Sequence, residues 1–333
     1  MIKKVLLLAG MFILFSSHDM FLKMTSYQLD PNTPSKIQLY NGTFEKSDNV
    51  ITRDRMIDAS LVGNGQRTPV DSATWTEVDN KTILNFTSGD PGTWVAGVST
   101  RARNIELDAE AFNRYLKHDG VMDMLSYREE NNLLDQGAVE KYSKHVKVVF
   151  QVGDKRTNDW NTTLGYPIEF VPLSNPYDAK VGDQLQFKLL ANGQPLPEQL
   201  VYAASAHHSH DGNHEHEHEH GADEADHQHD ATPLRTDAQG IVTVELSSVG
   251  HWYLRTIKMD LSEEAGLTHE SNWATLTFDI FDHQHDHNHD HGHSHGDGHS
   301  HPHGHSHGLP MWLYGLVALA LLAGVFWWYQ RKQ

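Results

Sequence analysis

The chain has 333 residues, 38% of them hydrophobic, which is enough for one large domain or two ordinary ones with a sizeable core. Its formal charge of -18 is concentrated in two tracts: residues 207–230 hold eight acids and residues 282–308 hold four, neither with a base, so the remaining residues carry only -6. That balance excludes a nucleic-acid binder, which needs a basic face to displace counterions from phosphate, and the absence of cysteine excludes disulfides, thiolate zinc sites, iron-sulfur clusters and cysteine nucleophiles.

Lys3 and Lys4 precede an apolar run over residues 5–15, and Ser16 and Ser17 follow it. This is the succession of a secretory signal peptide over residues 1–17, too short to span a bilayer. Cleavage after Ser17 would make His18 the mature N-terminus, where the α-amine and imidazole of one residue can chelate a single ion. In an extended strand Met20, Leu22 and Met24 share a face with His18, either as thioether surroundings for copper or simply as core packing.

Short alternating runs at 37–39, 83–86 and 94–98, separated by Asn41-Gly42, Ser88-Gly89 and Pro91-Gly92, predict an N-terminal β-domain over residues 18–103. Leu107, Ala111, Phe112, Tyr115 and Leu116 recur at helical spacing in a stretch without proline. They predict a helical insert from about 105 to 134 within a connecting segment, 104–157, that ends in a strand over 144–152. A second β-domain is expected over 158–281. Residues 184–191, the turn Asn192-Gly193 and residues 199–204 read as a hairpin; the turn Asp237-Ala238-Gln239-Gly240 introduces strands at 241–246, 252–257 and 274–281. The fold class is therefore mainly β: two β-sandwich-like domains, the second immunoglobulin-like or transthyretin-like, with a helical insert.

The loop at 207–230 within the second domain carries His207, His208, His210, His214, His216, His218, His220, His227 and His229. A tether at 282–310 carries His283, His285, His287, His289, His291, His293, His295, His299, His301, His303, His305 and His307. Neutral imidazole is the commonest ligand for zinc, copper(II), nickel and cobalt, and histidines at alternate positions of a bendable backbone can share one ion. The tracts are expected to form many overlapping, rapidly exchanging sites of modest affinity. The competing reading is a solvated spacer, or a tether whose imidazoles charge below about pH 6.5. The affinity order Mn2+ to Cu2+ favours copper(II) at any nitrogen site, so composition does not distinguish Ni2+, Co2+, Zn2+ and Cu2+ as the physiological cargo. His214-Glu215 with His218 formally meets H-E-x-x-H, but no apolar residue backs a helix there, and a metalloprotease is excluded.

Nineteen uncharged residues, 311–329, have the length of a transmembrane helix, about 28 Å, with Trp312 and Tyr314 at one end and Trp327, Trp328 and Tyr329 at the other. Arg331 and Lys332 follow, which places the tail 330–333 in the cytoplasm and the body in the periplasm of a single-pass inner-membrane protein.

His18-Asp19, Phe112 with Tyr115-Leu116, Glu140 with Tyr142-Ser143-Lys144, the stretch 164–177 (LGYPIEFVPLSNPY), the hairpin 182–196, the turn 236–240 and 273–278 (WATLTF) together resemble a bacterial family. Its members are periplasmic proteins described as cobalt or nickel transport components, or as nickel-uptake substrate-specific proteins of a domain-of-unknown-function type. The resemblance covers most of 18–281 and implies an exported, mainly β protein that works beside metal-uptake machinery. The chain departs from it at Ile257-Lys258-Met259, where the resemblance implies a histidine before the methionine.

No G-x-x-x-x-G-K-[ST] loop is present to energise transport, and one membrane helix cannot form a transporter core. An uptake role therefore requires a partner permease, an ABC-type or ECF-type transporter in the inner membrane. The expected function is capture of a divalent transition metal and its presentation to that permease; the alternative is buffering of excess metal without delivery. No catalytic residue is expected, and the one enzymatic rival is a copper oxidase built on His18. Partners for a folded site would come from His145, His251 or His269-Glu270.

Overall fold

A computed structural model describes residues 18–206 and 231–281. The expected signal peptide (1–17), both histidine tracts, the membrane helix (311–329) and the tail lie outside the described residues. Among the described residues no helix is long and apolar enough to cross a membrane.

The chain is mainly β. It begins with β1 (Asp19–Lys23), β2 (Gln28–Leu29), β3 (Pro34–Gly42), β4 (Met56–Gly63), β5 (Gln66–Pro69), β6 (Thr76–Val78), β7 (Lys81–Thr87), β8 (Gly92–Thr100) and β9 (Arg103–Leu107). Helices α1 (Ala109–His118) and α2 (Met122–Glu130) follow, then the fifteen-residue β10 (Ala138–Val152). The remainder comprises β11 (Ile168–Pro172), β12 (Gln184–Ala191), β13 (Gln194–Pro195), β14 (Leu200–Ala206), β15 (Thr232–Arg235), β16 (Ile241–Glu245), β17 (Gly250–Leu261) and β18 (His269–Ile280).

A central sheet runs in the order β15-β14-β17-β18-β10-β8-β4-β5, with β2 and β9 also paired to β10. Its middle is a parallel pair, β10 with β18, in register from Glu140 opposite His269 to Val148 opposite Thr277. Successive side chains of a strand point to opposite faces, and the two faces of this pair carry different sheets. On one face Thr275 Oγ1 donates to Met20 O and Thr277 Oγ1 to Leu22 O, which seats β1 and the sheet β1-β3-β7-β6. On the other, the Phe278 ring lies 5.4 Å from Phe187, and Lys147 Nζ donates to Glu169 Oε2 at 2.9 Å and to Phe170 O at 3.0 Å, which seats β11 and β12. One core cluster therefore extends from Met20 through Phe150 and Phe187 to Ile280, on both sides of the boundary expected near residue 157.

The helical insert is shorter than its expected span. Residues 105–107 belong to β9, because Ile105 and Leu107 pair with Glu140 and Ala138 instead of turning into the helix. Asp108 caps α1 by accepting the Ala111 N–H, and Gly120, at φ +69°, lets the chain reverse while Val121 N–H closes on Leu116 O. Phe112, Tyr115 and Leu116 are buried in a second cluster with Ile257 and Trp273.

The expected hairpin of 184–191 with 199–204 pairs differently. Asn192 (φ 50°) and Gly193 (φ 76°) make the tight turn, but the returning strand is only the two residues of β13. Pro195 and Pro197 have no N–H for a ladder, and the chain crosses to the central sheet, where β14 pairs with β15 and β17.

Candidate functional site

Directly under the first described residues lies a cleft of about 690 Å3, within the range of small-molecule sites. β1 and the segment after β3 form one wall, β9 and α1 another, and the floor is the face of β10 and β18 that carries Glu140, Lys144 and Trp273. Alternation places Glu140 and Lys144 on one face of β10, and the parallel register sets Lys144 beside Trp273.

His18 sits at the edge of this cleft. Its Nδ1 lies 3.3 Å from Asp48 Oδ2, and its carbonyl accepts from the Lys144 ammonium. Burial, with help from Lys144, holds the imidazole below its ordinary pKa against the opposing Asp48, so it is neutral and able to ligate at neutral pH. Lys144 Nζ also reaches Asn41 Oδ1 at 3.3 Å and stands 4.6 Å from the centre of the Trp273 ring. Burial pulls this ammonium down to about 8. Burial likewise pushes the Glu140 carboxyl up to about 7, although Ser271 and Tyr115 both donate to it. Tyr115 stacks parallel on Trp273 with the rings 6.1 Å apart. Behind the cleft, Arg255 pairs with Asp19 at 3.2 Å and donates to Asp119 O at 2.9 Å.

The other histidines considered from sequence are dispersed. His145 lies on the opposite face of β10, bonded to Ser99 Oγ at 2.9 Å and Ser143 Oγ at 3.0 Å, and burial holds it near 4. His269 is buried with Nδ1 on Thr268 Oγ1 and its ring 4.7 Å from Phe112, also near 4 through burial. His251 Nε2 lies 3.7 Å from Asp279 on the far part of the central sheet. Met20, Leu22 and Met24 are all core residues, of which Met20 also reaches the cleft. Among the described residues no three histidines, aspartates or glutamates are placed to hold a metal ion. His18 thus has one carboxylate neighbour and, among the described residues, no third ligand of that kind. Arg55, Lys144 and Glu140 were not foreseen as site residues; Glu140 and Lys144 appeared only as part of the family resemblance, and isolated charges in a strand carry no spacing signal.

The described ends of the tracts are close together. Ala206, the last residue before 207–230, pairs with His251, and His251 pairs with Asp279, two residues before Phe281, where the described chain stops. Two strand spacings separate these ends, about 10 Å.

A family model described as a domain of unknown function (DUF4198) matches residues 15–260. No curated protein matches the chain. Among solved structures, a Salmonella alpha-2-macroglobulin mutant aligns at 12% identity over 78% of this chain and 15% of its own, with a TM-score of 0.21. Trypsin-activated alpha-2-macroglobulin from Escherichia coli aligns at 10% over 79% and 15%, TM-score 0.21. A DUF4785 family protein from Legionella pneumophila aligns at 11% over 70% and 50%, TM-score 0.20. The chain thus spans a small part of the macroglobulins, and at these TM-scores none of the three bears on its activity.

Proposed function

The chain belongs to the DUF4198 family, a match that carries no activity with it, and we propose that it is a membrane-anchored periplasmic protein that captures a divalent transition metal and presents it to an uptake permease. The observation that carries this reading is the common origin of the tracts: both leave one end of the central sheet, about 10 Å apart, from Ala206 and from the end of β18. In the sequence the second tract lies between this end of the sheet and the apolar segment 311–329. The two stretches that adjoin this end of the sheet in sequence hold twenty-one histidines, a local concentration of metal ligands suited to hand-over. Nickel and cobalt are the cargoes in keeping with the resemblance, and zinc fits the same imidazole ligands. The folded body acts as scaffold and spacer, and the alternating histidines favour many weak, rapidly exchanging sites over one fixed one.

The test replaces the tract histidines by asparagine, in one tract, the other, and both, and measures cellular nickel, cobalt and zinc uptake under scarcity. Loss of uptake in the double replacement is the expected result. Unchanged uptake with lowered tolerance of metal excess would sink delivery and leave buffering.

A further inference from the structure

The cleft beneath β1 holds two buried cations with no carboxylate in ion-pair range among the described residues. Arg55 is only 8% exposed; one guanidinium nitrogen makes a long bond, 3.5 Å, to Arg101 O, and its Nε has no hydrogen-bond partner. Lys144 is 7% exposed, and its ammonium meets the neutral oxygens of His18 and Asn41 and the rings of Trp273 and Tyr142, with Asp19, Asp119 and Glu140 acting on it from beyond ion-pair range. The carboxylates that act on it have their own partners, although Asp119 Oδ2 has none. Asp19 pairs with Arg255, Asp119 lies 3.1 Å from His118 Nδ1, and Glu140 is held by Tyr115 and Ser271. A third cation, the exposed Arg103, stands at the mouth. Burying unpaired charge is costly, and two cations lining one cavity call for a counter-charge that enters from outside. The apolar part of the wall is Met20, Ile51, Ile105, Leu107 and the Trp273 indole, and the polar part includes Asn41, Thr100 and the Glu140 carboxyl, which burial pushes up to about 7.

We propose that this cleft binds a small organic carboxylate with an apolar body, its carboxylate between Arg55 and Lys144 and its body against Ile51, Ile105 and Trp273. A guanidinium and an ammonium on one carboxylate give charge-assisted hydrogen bonds, and the cavity of about 690 Å3 accommodates an aromatic or short aliphatic acid. This site is distinct from the histidine tracts and stands whether or not these bind metal.

The experiment is calorimetric titration of the purified full-length chain, kept in EDTA, with phenylacetate, with hexanoate and with phenylacetamide as the uncharged counterpart. Saturable one-to-one binding of an acid is expected, with the amide weaker by about tenfold or more, the loss of one charge-assisted interaction. Arg55→Met and Lys144→Met should each weaken the acid by a similar factor. Thr52→Trp changes an exposed residue of the cleft wall, keeps the core intact and should block entry, so it decides the matter if the buried variants do not fold. The proposal fails if neither acid binds saturably, if acid and amide bind alike, if Thr52→Trp leaves binding unchanged, or if acid binds only when EDTA is omitted, which would place it on tract-bound metal.

Discussion

Asp279 stands at the root of the second tract, 6% exposed, with His251 Nε2 3.7 Å away, and burial pushes its carboxyl up to about 7 from 3.8. The folded state therefore binds a proton that the unfolded state releases. The stability associated with this proton is complete below about pH 4 and is lost as pH rises through 7. His145 and His269 act in the opposite sense: held near 4 from 6.5, they favour the folded state above about 6.5 and penalise it as pH falls toward 4. Asp279→Asn removes only the first contribution. Thermal melts should find the variant level with the parent chain at pH 4 and more stable at pH 8, by at most about 4 kcal/mol. An advantage of equal size at both pH values would show that ionisation of Asp279 is not the cause.

Helix α1 depends on one face. Phe112 is fully buried, with the His269 ring 4.7 Å away and the Arg128 guanidinium 4.8 Å away, and it joins the insert to the ends of β17 and β18 through Ile257 and Trp273. Phe112→Ala should cost about 3–5 kcal/mol. Hydrogen exchange should quicken first in α1 and α2 and leave β12 and β16, which pack in the other cluster, protected; uniform quickening would contradict a separately docked insert. The face of α1 was readable from the spacing of Phe112, Tyr115 and Leu116, and β3, β7 and β8 from alternation between turn residues. Pairing was less legible. β10 and β18 lie more than 120 positions apart and run parallel, and nothing in either run specifies the other, because strand periodicity encodes a face and not a partner. β4 was missed because Ala59, Ser60, Leu61 and Val62 are buried in succession, which removes the alternation that marks a half-buried strand. The cleft was hidden for a related reason: Arg55, Lys144 and Trp273 come from three distant segments, whereas the histidine tracts announce themselves by composition alone.

For the molecule as a whole, the folded body and the tracts should respond differently to pH. His145 and His269 remain neutral down to about 4, and His18 is held below its ordinary value, so these three imidazoles resist protonation at mildly acidic pH, whereas the hydrogen bond to Asp119 raises His118. The tract histidines lie outside the described residues, and protons compete with metal for ordinary imidazole near pH 6.5. Metal affinity of the full-length chain, measured by competition titration with nickel, zinc and copper(II), should therefore fall steeply from pH 7.5 to 5.5 while the β-sheet circular dichroism stays constant. The chain with both tracts changed to asparagine should show neither the affinity nor its pH dependence, and it should keep its fold, because Ala203 opposite Thr232 closes the β14–β15 ladder without the intervening loop. A flat response over that range would mean that imidazole is not the ligand. Steep loss that persists in the substituted chain would transfer the site to the body, where His18 beside Asp48 is the residue to change next.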